Sequence, residues 1–231
     1  MKTAVLTEDQ AIQDLDFPIE AKIYEGGAQV SPSSALITIK DPDGTVQVDG
    51  VAMSVGTGGT LTYTLLKAKT ADLWENAIIE IEYIASSITH RISFLFDVVI
   101  QKLVNAVTDA DLKNYFPDLA AHLWTEESNY SDLIDEAFRI VRRDIKNKGR
   151  RPAMILDGSQ VRELVILKVF GNIFFAFSKK PDDIWWARYE KTIDQYRALL
   201  DGLLIKYDED EDGLVDNGED RTRVGQITLV R

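Results

Sequence analysis

Two hydrophobic periods divide this chain. Apolar and polar positions alternate with period two through the first hundred residues, then recur with period 3.6 from about Asn105 onward. Period two sends successive side chains to opposite faces of a strand, and 3.6 gathers them on one face of a helix. Strands are predicted over Phe17–Tyr24, Ala35–Lys40, Thr45–Val48, Val51–Val55, Leu61–Leu65, Ile78–Ile84 and Thr89–Val99. Turn signals separate them at Gly26-Gly27, Asp41-Pro-Asp-Gly44 and Gly56-Thr-Gly-Gly59. Lys67 to Trp74 suits one helical turn at an edge. Short strands at this spacing predict an antiparallel β-sandwich of immunoglobulin-like type over 1–104.

The second pattern predicts a bundle. Thr108 and Asp111 have the spacing of a capping box with Asp in place of Glu, opening a short helix that Pro117 closes. Asn129 or Ser131 caps the next helix, whose apolar face is Leu133, Ile134, Ala137, Phe138, Val141 and Ile145. Gly149 suits the residue just beyond its end. Asp157 or Ser159 caps a third helix, apolar nearly all round and therefore central. Gly171 within it predicts close helix packing. Pro181-Asp-Asp183 opens a fourth, with a stripe of Trp186, Tyr189, Ile193, Tyr196, Leu200, Leu203 and Leu204 that runs on to Asp208. The fold class is α+β in two domains: a sandwich over 1–104 and a helical bundle over 105–207, followed by a tail over 208–231.

Composition narrows the possibilities. The 231 residues hold 45% hydrophobic side chains, enough for two cores, and no cysteine. Disulfides and thiolate metal sites are excluded. The N-terminus turns acidic at Glu8 before any signal-like apolar run develops. The most apolar stretch, Val161 to Phe177, is interrupted by Arg162, Glu163, Lys168 and Asn172, which predicts a bundle helix rather than a membrane span. The net charge of -12 is uneven: -7 over 1–106, zero over 107–207 and -5 over 208–231. So acidic a chain is poorly suited to sequestering nucleic acid.

The tail carries the sharpest motif. Read from Asp208, the run Asp208-Glu-Asp210-Glu-Asp212-Gly213-Leu214-Val215-Asp216-Asn-Gly-Glu219 has the spacing of a twelve-residue EF-hand calcium loop. Asp208, Asp210 and Asp212 would each give a carboxylate oxygen to Ca2+. Gly213 permits the bend, Leu214 would offer its carbonyl, Asp216 would act through water, and Glu219 would clamp with both oxygens. Residues 220–231 alternate Val224, Ile227 and Leu229 with other residues and predict a strand rather than an exiting helix. With no second loop to pair with, the ion's role is structural: it fixes a turn that directs a short strand.

Other chemistry finds no constellation. His90 and His122 fall in different domains, and neither has a nucleophile or carboxylate at a telling spacing. Gly56-Thr-Gly-Gly59 lacks the Lys-Ser/Thr of a phosphate loop. Arg139, Arg142, Arg143, Lys146, Lys148, Arg150 and Arg151 form a basic cluster on the second helix and its exit. It reads as a solvated helix end or as a subunit interface.

The stretch from about Val107 to Arg231 resembles the head-to-tail connector (adaptor) proteins of tailed bacteriophages. The resemblance rests on Val107-Thr-Asp-Ala-Asp-Leu112, Tyr115-Phe-Pro117, Leu133-Ile-Asp-Glu-Ala137, Lys148-Gly-Arg-Arg-Pro152, a buried third helix, the aromatics Tyr189 and Tyr196, and Tyr207-Asp208 before the acidic loop. It implies a structural virion protein of the neck, not an enzyme, assembled in the host cytoplasm. Such connectors form a homo-oligomeric ring, usually of twelve copies, beneath the portal protein. DNA passes through the channel without sequence-specific binding, no membrane is involved, and tail or neck-completion proteins are the further partners. The C-terminal segment, here Val224, Ile227, Leu229 and Val230, would dock to the portal as an added strand. The sandwich is a departure, because many connectors consist of the helical part alone. The alternative reading is a calcium-stabilised surface or adhesion module with an Ig-like domain.

Overall fold

A computed structural model describes residues 2–117, 119, 129–181, 183–208 and 212–215. The chain divides into two compact units, Met1–Lys102 and Leu103–Arg231. The fold class is mixed α+β, with two sheets and four α-helices among the described residues.

The first unit holds both sheets. One runs in the order β1 (Lys2–Leu6), β3 (Phe17–Glu25), β8 (Leu61–Leu65) and β7 (Ser54–Val55), with β4 (Ala28–Val30) also paired to β3. The other runs β2 (Gln10–Ile12), β10 (Ile88–Val99), β9 (Trp74–Ala85), β5 (Ser34–Lys40) and β6 (Val46–Ala52). All pairings are antiparallel except β2 with β10. The period-two pattern is read out directly: Phe17, Ile19, Ala21 and Ile23 of β3 are buried while their neighbours face outward. Ile79, Ile81 and Tyr83 of β9 and Phe96 of β10 join them in one core. The rings of Phe17 and Phe96, one from each sheet, stand 5.4 Å apart.

One strand expectation needs correction. Val51–Val55 is not one strand. The chain stays in β6 to Ala52, buries Met53 through an N–H donated to the Ala35 carbonyl (2.9 Å), and resumes as β7 in the other sheet. A bulky apolar residue that turns inward at a crossover looks, in sequence, like strand continuation. β1, β2 and β4 were not predicted, being short and lacking sustained alternation. The expected helical turn after β8 is a 3-10 turn over Lys67–Lys69. Ser86 and Ser87, both at positive φ (52° and 62°), close the β9–β10 hairpin where glycine or asparagine is usual.

The second unit packs α1 (Asp109–Tyr115), α2 (Ser131–Asn147), α3 (Arg162–Phe177) and α4 (Ile184–Gly202) around one apolar cluster. α3 is buried on most of its circumference, through Leu164, Val165, Ile166, Val169, Phe170, Ile173 and Phe174. At Gly171 a methyl group would stand 3.0 Å from Ile193 Cδ1, so the glycine does permit close approach of α3 and α4. The Tyr196 hydroxyl donates to Asp144 Oδ2 (2.7 Å), tying α4 to α2, and burial pushes its phenol far above its usual range. α2 ends as expected: Gly149 (φ 73°) donates to the Lys146 carbonyl and Arg150 to the Ile145 carbonyl, satisfying two terminal acceptors. Its start differs. The cap position is Tyr130, and the Asn129 side chain accepts the N–H of Ser131, already the first helical residue. Asp157 caps the 3-10 turn Gly158–Val161 that leads into α3.

The capping box at α1 forms with both of its hydrogen bonds. Asp111 also accepts from Arg162 Nη2 at 2.7 Å, joining α1 to the start of α3. The Thr108 backbone N–H, then Arg162, hold its carboxyl below the usual carboxylate range. The folded chain therefore holds this proton more weakly than the unfolded chain. The stabilisation is complete above about pH 4 and fades as pH falls through the lowered value. Asp111→Asn should cost the helical unit about 1 kcal/mol near neutrality. In urea melts below about pH 3 the gap to wild type should narrow.

Candidate functional site

The acidic loop is reached by a strap rather than a helix. α4 was expected to run on to Asp208, but it stops at Gly202 and Leu203 is already extended (φ -62°, ψ 121°). From there alternate residues turn inward. Leu203 and Ile205 are buried in the bundle core while Leu204 is 70% exposed, so Leu204 does not belong to the core stripe. The physical reason is in the sequence: Gly202 lowers helix propensity, and Leu203-Leu-Ile205-Lys-Tyr207 has period two.

Polar groups from α2's exit and from the turn before α3 fasten the end of α4 and this strap. Arg150 Nη1 donates to the Leu200 carbonyl at 3.1 Å, and Lys148 pairs with Asp201 at 2.5 Å. The Lys148 ammonium holds the Asp201 carboxyl below its usual range. Gln160 grips both backbone groups of Lys206: its Oε1 accepts the N–H at 2.7 Å and its Nε2 donates to the carbonyl at 3.2 Å. The Arg151 N–H donates to the Tyr207 hydroxyl (3.3 Å). Finally the Asp208 N–H donates to the Met154 carbonyl at 3.2 Å. Sequence reading missed Gln160 and Tyr207 as fasteners. The period-two run after Gly202 was the signal available.

Asp208 is thus the last residue of the strap and the first of the loop, and only 2% of it is exposed. Its Oδ1 accepts the N–H of Asp212 (3.1 Å) and its Oδ2 the N–H of Gly213 (2.9 Å). Gly213 turns with φ 88°, where a side chain would be strained. Asp212 Oδ1 accepts the N–H of Leu214 at 2.8 Å. The Asp208 carboxylate therefore holds the backbone of Asp212 and Gly213. Asp208, Asp212 and Leu214 are described. Asp210, Asp216 and Glu219, with the expected docking positions Val224, Ile227, Leu229 and Val230, lie outside the described residues. Among the described residues no three His, Cys, Asp or Glu side chains are grouped as a metal site would require. The residues present fit a hard cation in kind: oxygen donors, a glycine at the bend, and carboxylate oxygens whose second lone pairs remain after one N–H bond each.

The basic cluster is largely occupied within the chain. Arg139 pairs with Glu136 (2.7 Å), Arg142 lies over the Phe138 ring (5.9 Å) and Arg143 is 3.7 Å from Asp144. Lys148 and Arg150 hold the end of α4 as described. His90 lies against Tyr83, the rings tilted by 34° with centroids 5.2 Å apart. No described helix is long and apolar enough to cross a membrane. No protein-family model matches the chain, and no curated protein matches it in sequence.

Proposed function

We propose that this chain is a structural protein of a phage neck. In this reading it is a connector whose helical unit builds a ring, usually of twelve copies, under the portal, whose tail docks into the portal, and whose loop binds Ca2+. It is not an enzyme. The first unit is read as an Ig-like module that decorates the outside of the neck or contacts other neck or tail proteins. The single observation that carries the proposal is the anchoring of Asp208. The acidic loop starts from a residue bound into the helical core, not from a drifting end, so an ion in the loop would aim whatever follows it. That supports the loop-and-tail reading over a solvated acidic run.

The energetics favour such an arrangement. A strand that orders only on docking loses conformational freedom, which weakens binding. Fixing its base lowers that loss, and many copies in a ring add avidity. The residues that would hold the ion are Asp208, Asp210, Asp212, the Leu214 carbonyl, Asp216 through water, and Glu219.

The test is assembly with the portal protein of the same phage, followed by native mass measurement. A ring, or ring formation on adding portal, is expected. Asp212→Ala and Glu219→Ala should leave both units folded and weaken portal docking by about tenfold or more. A protein that stays monomeric with portal present, or variants that dock as well as calcium-loaded wild type, would sink the proposal. A monomer that instead binds glycan supports the adhesion reading.

A further inference from the structure

Strand edges expose unpaired N–H and C=O groups, and folded proteins usually shorten, bend or cover them. Among the described residues of the sandwich, most edges are treated this way. β7 has two residues, and β4 and β2 have three each. β6 is longer, but it is broken by two register shifts and carries Asp49 beside Gly50 at φ 57°. Two longer edges remain: β10, which β2 covers only at Asp97–Val99 so that Ile88–Phe96 stay open, and β1, whose five residues pair with β3 in unbroken register from Lys2 opposite Glu25 to Leu6 opposite Ala21.

The hydrogen-bond phase shows which groups face outward. The Thr7 N–H donates to the Glu20 carbonyl at 2.9 Å in that same register. Residues directly opposite alternate between bonded and non-bonded pairs, so Thr7, Val5 and Thr3 spend their backbone groups on β3. Ala4 and Leu6 direct theirs to the open edge. Their side chains pack against the sandwich core, and Val5 points the other way, 39% exposed.

The sequence of this edge is complementary to itself. Laid antiparallel on a second copy about Val5, Lys2-Thr3-Ala4-Val5-Leu6-Thr7-Glu8 puts Ala4 opposite Leu6, Thr3 opposite Thr7, Val5 opposite Val5 and Lys2 opposite Glu8. That register bonds Ala4 to Leu6, the two residues with outward backbone groups. It extends the core-facing row with apolar side chains. Apolar cross-strand pairs are favourable. We infer that the β1 edge is a two-fold contact between two copies of this chain, joining their sheets into one. A two-fold contact pairs the same patch on both copies and cannot by itself close a ring. It is therefore separate from the proposed neck ring and stands independently of it.

The chain has no cysteine, which allows a clean trap. Val5 meets Val5 as a non-bonded pair with Cα atoms about 4.5 Å apart, within disulfide range. Val5→Cys should form a covalent dimer on mild oxidation about tenfold or more faster than Val51→Cys, a β6 residue of similar exposure (42%). Sedimentation of wild type should show a concentration-dependent dimer. Ala4→Pro should abolish it without losing a β1–β3 hydrogen bond, because the Ala4 N–H faces outward. If Ala4→Pro fails to fold, the cysteine trap still decides. Equal trapping at positions 5 and 51, a dimer unchanged by Ala4→Pro, or a monomer at every concentration overturns the inference; the last would leave this edge to a strand of another protein.

Discussion

Gly158→Ala is expected to destabilise the helical unit by about 3 kcal/mol, the upper end of what overpacking a core usually costs. A methyl group at this position would stand 1.9 Å from the Val104 carbonyl oxygen and 3.2 Å from its carbon. Both are backbone atoms, so no rotamer change relieves the clash. Moving Gly158 displaces the 3-10 turn whose Val161 is 1% exposed and leads directly into α3. Moving Val104 instead displaces Leu103 and Val107, both buried in the same core. In thermal melts followed by hydrogen exchange, the midpoint for residues of the helical unit should fall by about 10 °C or more. Each unit has its own apolar core, so peptides from the first unit should keep their protection. Gly202→Ala is the matched control. No atom lies within 4 Å of its added methyl and its φ is not positive, so it should raise helical-unit stability by up to about 1 kcal/mol. Equal losses at the two glycines would show that the Val104 contact does not constrain the fold.

The contrast between these glycines marks what was legible in the sequence. Local rules were readable wherever one residue's chemistry decided the outcome. The capping box at Thr108 and Asp111, the turn at Gly149, the cap at Asp183 and the close packing at Gly171 all follow from what those side chains, or their absence, permit. Alternation located β3, β5, β8, β9 and β10 because each buries one face. Gly158 could not be singled out, because its neighbour Val104 lies more than fifty residues away and nothing local records the approach. The hairpin at Ser86-Ser87 lacked the usual glycine. The strap after α4 was hidden for a third reason. Leu200, Leu203 and Leu204 fit a helical period as well as Leu203, Ile205 and Tyr207 fit period two, and only the pull of the core on Ile205, fully buried, decides between them. At the acidic loop the donor types and the bend at Gly213 were readable, but the burial of Asp208 against Met154 was not.

That burial gives the calcium reading its sharpest consequence. Calcium at about a hundred times its dissociation constant should stabilise the helical unit by about 2.7 kcal/mol, provided the unfolded chain does not bind it. The midpoint of that unit should then rise by roughly 10 °C. The reasoning runs through Asp208. An ion held by a detached acidic tail would release heat on binding but leave the melting of the bundle unchanged. Asp208, however, donates its N–H to Met154 and lies 2% exposed at the end of a strap fastened by Gln160, Tyr207 and Leu203. Binding that requires Asp208 in place therefore requires the strap in place. Asp208→Asn separates the two contributions. Without calcium it should cost only about 1 kcal/mol, because an amide oxygen can still accept one of the N–H groups of Asp212 and Gly213. With calcium it should lose the whole increment that wild type gains. Asp212→Asn should also lose the increment, at smaller cost without the ion, since Asp212 is exposed and, among the described residues, accepts only from Leu214. Magnesium should be a poor substitute, because it demands six close, regular oxygens and sheds its water reluctantly. Calorimetry and thermal melts together decide the matter. Heat without a midpoint shift would place the ion outside the strap's control, and neither heat nor shift would remove calcium from this protein altogether.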